Sequence, residues 1–178
     1  MFDVYLITPD RDAALILATA RELLAAAPAG RVALQLRSNT LTLDARVELA
    51  HALAELARTH GAAFLVSADL ALARAVAADG VQLPEHAPTL AAARAALGAA
   101  AYIGASRHDR SGVAAAERGG ASFVTLSPVF ALGGIDAARA VEVVRAGAHG
   151  VAVIREVWDS PQPARALAGL LAGIDAAR

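Results

Sequence analysis

A parallel α/β fold is predicted by three observations. Short β-like runs alternate with longer Ala/Leu-rich helical stretches from end to end. The runs look buried, as the strands of a helix-covered parallel sheet are. No linker, low-complexity tract beyond alanine richness, or second composition marks a further domain, so residues 1–178 read as one domain. A doubly wound sheet and a (β/α)8 barrel both fit this rhythm. The glycine fingerprint of a dinucleotide-binding sheet should follow the first strand, and Thr8-Pro9-Asp10-Arg11 stands there instead, which weakens the first option.

The elements follow in order. Val4–Thr8 is the first strand, and Pro9-Asp10-Arg11-Asp12 is a helix-start signal, with capping preferred over a metal pair for the two acids. That helix stops at Pro28-Ala29-Gly30. Val32–Leu36 is the second strand, followed by a helix after Asp44 that ends at His60-Gly61. Phe64–Val66 is the third strand, and Asp69 opens a helix closed by Asp79-Gly80. Val81–Leu83 is cut by Pro84, and the next helix runs from about Thr89 to Gly98. Ala101–Ala105 is the fifth strand, Gly112–Arg118 a short helix and Phe123–Leu126 the sixth strand. A helix over Asp136–Ala146 closes at Gly147, Gly150–Ile154 is the last strand and Pro163–Ala176 the last helix.

One junction breaks the rhythm. Phe123–Phe130 runs directly into Ala131-Leu132-Gly133-Gly134-Ile135, which resembles the end of another strand. Neighbouring parallel strands need a crossover of at least ~10 residues, so no regular crossover helix fits between residues 126 and 135. Seven strand signals remain against eight for a barrel, and 178 residues is below the ~200 at the lower end for that fold. The expectation is a barrel interrupted between strands six and seven, or a segment missing there.

Composition excludes several function classes. The formal net charge of −1 gives no electrostatic reason for a nucleic-acid or anionic-membrane partner. No run reaches the ~18 apolar residues of a transmembrane helix, and the strand-like opening shows no signal peptide, so a cytoplasmic location is expected. The absence of Cys excludes disulfides and thiolate chemistry. All sixteen basic residues are Arg; the absence of Lys excludes Schiff-base chemistry and a P-loop.

In an α/β barrel, chemistry sits at the strand C-termini. There the chain carries Leu34-Gln35-Leu36-Arg37, Asp79-Gly80-Val81-Gln82-Leu83-Pro84, Gly104-Ala105-Ser106, Pro128-Val129-Phe130, Leu132-Gly133-Gly134-Ile135 and Gly147-Ala148-His149-Gly150-Val151-Ala152-Val153-Ile154. In that order the set resembles the thiamine phosphate synthase/TenI family over nearly the whole chain. The resemblance implies a TIM barrel, a role in vitamin B1 biosynthesis and a site for thiazole phosphate. Gly133 and Gly134 ahead of a helix would let backbone N–H groups approach a phosphate; alone they would be only a tight turn. The resemblance places the second half of that cradle at Ile154 and Arg155. Gln35 and Arg37, two residues apart on one strand face, would point into the mouth, with Ser106 completing the ring pocket.

Departures from the synthase pattern bear on chemistry. Its Lys position is Asn39, its Asn-Asp pair after strand three is Ser67-Ala68, its later acidic metal ligand aligns with Ala87 near Glu85, and its Thr/Lys loop after Pro-Val-Phe is absent. Expelling pyrophosphate calls for Mg²⁺, carboxylates and cationic clamps, so Mg²⁺ is expected only if the synthase reading holds, and no cofactor otherwise. Gln82-Leu83-Pro84 and Gly104–His108 resemble the TenI branch, whose thiazole tautomerisation needs an acid–base but no metal. The catalytic His of that branch falls at Pro128 here. His108 is a substitute by residue type, set against a solvated His at a helix start. His51, His60 and His86 lack metal-ligand spacing, His149 sits in a turn, and Trp158 reads as packing under the last helix.

Two rival readings remain. One is a degenerate family member that binds a phosphorylated ligand without turnover. The other is an unrelated phosphate-binding barrel enzyme, which should offer more carboxylates or Lys at strand ends. A homodimer is favoured by symmetry alone.

Overall fold

The computed structural model describes residues 1–85, 89–126 and 135–178. Seven strands form one parallel sheet in the order β6-β5-β4-β3-β2-β1-β7, curled into a nearly closed barrel with helices outside. The strands are β1 (Val4–Ile7), β2 (Val32–Leu36), β3 (Ala63–Ser67), β4 (Gly80–Leu83), β5 (Tyr102–Arg107), β6 (Phe123–Leu126) and β7 (Val151–Val153). The helices are α1 (Ala13–Ala26), α2 (Leu43–Thr59), α3 (Leu70–Ala75), α4 (Leu90–Leu97), α5 (Arg110–Arg118), α6 (Ala137–Arg145), α7 (Arg155–Trp158) and α8 (Pro163–Ala177). Among the described residues the sheet ends on β6 and β7, and no eighth strand lies between them. The Phe130–Ala131 junction, with Gly133 and Gly134, lies outside the described residues.

The period of two along each strand sorts the core into layers. Val4, Leu6, Val32, Leu34, Leu36, Phe64 and Val66 face the helices and join their apolar sides. Tyr5, Ile7, Ala33, Leu65 and Ala152 pack inside the barrel with Phe2. Phe2 stacks on Tyr5 and Phe123 meets both edge-on there, at ring-centroid separations of 5.2 to 5.4 Å, so aromatic rings fill the lower interior. A small apolar cavity of about 50 Å³ remains between β6 and β7, lined by Phe123, Val124, Val151 and Ala152. Trp158 is 4% exposed and belongs to the outer core.

Helix starts follow the caps. Asp12, Thr42, Asp69, Thr89, Asp109 and Asp136 each accept a backbone N–H in the first turn of the helix that follows. Three expectations need correction. The helix after Asp69 ends at Ala75 rather than at Asp79-Gly80, because Ala77 turns left-handed at φ 50°. Gly80 instead begins β4, where a Cβ would lie 2.0 Å from the Tyr102 carbonyl oxygen of β5. The last strand stops at Val153, and Ile154 caps the short α7, a helix without a sequence signal. Two starts also shift: α2 begins at Leu43 behind Thr42, and α5 at Arg110 behind Asp109.

Candidate functional site

The same alternation places small and polar side chains at the upper, C-terminal end of the barrel. Ile7, Gln35, Arg37, Ser67, Gln82, Pro84, Ser106, Thr125 and Ile154 surround one cavity of about 290 Å³. Arg37 lies one residue beyond β2, not within it. Thr8 fixes its backbone: the fully buried Thr8 hydroxyl donates to the Arg37 carbonyl and accepts the Arg37 N–H, both at 2.9 Å. The exposed guanidinium is thus held at the cavity edge on an anchored main chain.

The floor is a neutral hydrogen-bond network. Gln82 Nε2 donates to Ser106 Oγ at 2.9 Å and to Thr125 Oγ1 at 3.0 Å. Tyr5 Oη donates to Gln82 Oε1 at 3.5 Å, and burial pushes the Tyr5 hydroxyl pKa up, so it stays a donor. The Ser106 and Thr125 oxygens lie 3.2 Å apart. Both accept from Gln82, and one donates to the other, which leaves one O–H for the cavity. Gln35 Oε1 is buried without a partner and adds an unused acceptor. A ligand ring that both accepts and donates would satisfy this floor, where an unpaired buried polar atom costs about 1–3 kcal/mol.

Gln35, Arg37, Ser106 and Ile154, singled out from sequence, meet at this cavity. Arg155 is exposed and opens α7 beside Ile154. His108 follows β5, keeps its side chain 59% exposed, and brings Nε2 to 3.6 Å from Glu85 Oε2, outside the cavity lining. Thr125 escaped sequence reasoning, although its inward register next to Phe123 was available from the period of two. Gln82 and Ser67 were visible only as motif positions; their shared cavity depends on the curl of the sheet.

The altered positions also have a local explanation. Asn39 turns to Asp10, whose carboxylate accepts the Asn39 N–H at 2.6 Å and its Nδ2–H at 3.1 Å. Ala68 sits just beyond β3 at φ 59°, a region that favours Gly, Asn or Asp. A non-glycine residue there carries about 1–2 kcal/mol of strain, against about 0.5–1 kcal/mol of extra chain entropy for glycine. Ala68→Gly is therefore expected to stabilise the fold by about 0.5–1 kcal/mol, read from the urea midpoint.

Comparison with known proteins fits this geometry. The family model described as "Thiamine monophosphate synthase" matches residues 4–131. A putative thiamine-phosphate synthase of Geobacter sulfurreducens is 37% identical over 206 aligned positions, covering 96% of this chain and 94% of the relative. The thiamine-phosphate synthase of Chromobacterium violaceum is 38% identical, covering 93% and 94%. Thiamine phosphate pyrophosphorylase from Pyrococcus furiosus superposes with a TM-score of 0.85 at 26% identity, covering 99% of this chain and 96% of that one. A 3-hexulose-6-phosphate synthase, at 18% identity and TM-score 0.71, shares the fold. In the Geobacter match, 96% of 178 residues is about 171, set against 206 aligned positions, so about 35 positions of that relative have no counterpart here. The family model ends at residue 131, where the strand rhythm breaks. The ordered strand-end residues, the barrel that gathers them and these matches together make the chain a member of the thiamine phosphate synthase/TenI family.

Proposed function

We propose that this protein serves thiamine biosynthesis by holding a thiazole phosphate at the strand C-termini, with tautomerase-type chemistry easier for its residues than synthase chemistry. One observation supports this most: Gln35 and Arg37 from the end of β2, Ser106 from β5 and Ile154 from the end of β7 converge on one cavity. Its size, about 290 Å³, is near the small end of ligand sites. In this reading the ring rests on the Gln82–Ser106–Thr125 floor beside Gln35. The phosphate faces Arg37 and the Ile154–Arg155 corner, with Gly133 and Gly134 assigned to it from sequence. Tautomerisation moves a proton and asks for no metal. Expelling pyrophosphate asks for cationic clamps, and Arg37 is the single charged residue lining the cavity among those described.

Calorimetric titration of folded protein with thiazole phosphate tests the reading. Binding heat is expected, and Arg37→Ala should weaken binding by about tenfold or more through loss of a charge-assisted contact. A folded protein giving no heat would overturn it.

A second reading, binding without turnover, draws on a specific observation. No Asp, Glu or His lines the described cavity, and His108 stands outside it beside Glu85. Product in either a tautomerase or a synthase assay would exclude that reading.

A further inference from the structure

We infer that the rim takes its anion without a divalent cation, which restricts its ligands to monophosphate esters; this rests on the thiazole phosphate reading above. A Mg²⁺ ion in a phosphate site usually needs one or two carboxylates besides the phosphate oxygens, in near-octahedral geometry. Among the described residues the carboxylates of the rim do not form such a set. Asp10, after β1, is occupied by the Asn39 N–H and side-chain amide. Asp69, after β3, caps α3 with Oδ1 on the Leu72 N–H and meets Arg46 with Oδ2 at 2.7 Å. Asp109, after β5, caps α5 through the Gly112 N–H and also accepts from Ser111. Glu85, after β4, stands beside His108 rather than in the cavity wall.

The wall itself supplies amides, hydroxyls and one guanidinium. Among the described residues no group of three or more His, Asp or Glu comes together to hold a metal ion. By sequence, residues 86–88 and 127–134 add His86 and no carboxylate. The donor set therefore does not fit Mg²⁺. It fits direct recognition: Arg37 offers a planar cationic fork to a dianion, and the anchored Thr8–Arg37 backbone removes part of the ordering cost. A monophosphate carries a charge of about −1.5 to −2, which one guanidinium and neutral donors can offset. A diphosphate would bring further charge, and among the described residues the wall holds neither a metal-ligand set nor a cation besides Arg37, with Arg155 at the Ile154 corner already committed to the first phosphate.

The test is titration with thiazole phosphate in millimolar MgCl2 and again in EDTA. The dissociation constants should agree within about twofold. Glu85→Gln should bind in both buffers as the unaltered protein does. Tightening by Mg²⁺ beyond that factor would overturn the inference, and its loss in Glu85→Gln would identify the carboxylate responsible. Absence of heat in both buffers would instead refute the thiazole phosphate reading, and this inference with it.

Discussion

Gly104→Ala is expected to destabilise the fold by on the order of 3 kcal/mol and to lower the melting temperature by about 6–12 °C. The position faces the barrel interior from β5. A Cβ there would lie 2.1 Å from Gln82 Oε1 and 2.4 Å from Phe123 Cζ. Both neighbours are held in place by their own contacts. Gln82 is 5% exposed and is tied through Nε2 to Ser106 and Thr125. The Phe123 ring is held edge-on by Phe2 and Tyr5. The methyl group must displace a hydrogen-bonded amide, a packed ring, or both. Thermal unfolding by circular dichroism measures the cost. Below the melting transition, the folded variant should also bind thiazole phosphate more weakly, because the displaced Gln82 amide no longer sets the two hydroxyls. A change under about 1 kcal/mol would mean that β4, β5 and β6 do not meet as described.

This coupling explains which features were readable in the sequence. Strand positions were legible because apolar runs such as Val32–Leu36 and Phe64–Val66 stand between helix caps, and a cap is a local event. Asp12 and Asp69 announce their helices within three residues. The end of α3 was not legible, because Gly80 resembles a helix stop while its real constraint is the Tyr102 carbonyl on the next strand. The short α7 escaped for the same reason: nothing local marks it, and its Val157 and Trp158 are fixed by tertiary burial. In the site, Gln35 and Arg37 could be found from spacing and Ser106 from its motif. The Gln82–Ser106–Thr125 network could not, since it joins residues up to 43 positions apart whose contact depends on sheet curvature. The broken rhythm at Phe130–Ala131 was legible because parallel strands obey a minimum crossover length.

Asp3→Ala should cost about 2 kcal/mol at neutral pH and remove much of the acid sensitivity of the fold. Asp3 precedes β1 and is 6% exposed. Its Oδ2 accepts from Arg31 Nε at 2.5 Å and its Oδ1 from Arg178 Nη2 at 2.6 Å. Arg31 also forks onto Asp175 of α8, and Arg178 also donates to the His149 carbonyl just before β7. The strand β7 pairs only with β1 among the described residues, so this cluster ties an edge strand to its single neighbour. Burial alone would raise the Asp3 pKa, but hydrogen bonds and charge from Arg31 and Arg178 outweigh it and hold the carboxyl below its usual value. A carboxyl depressed in the folded state stabilises fully above its unfolded pKa, about 3.9, and loses that contribution as pH falls through the lower folded value. The hydrogen bond from Arg31 depresses Asp175 in the same direction. Urea midpoints at pH 7 and pH 3 separate the cases: the unaltered protein should lose stability between them, and Asp3→Ala should start lower and lose less. Equal acid losses in both proteins would show that Asp3 does not carry the linkage, and would leave the hold on β7 to its pairing with β1 and to Val151 and Val153 in the outer core.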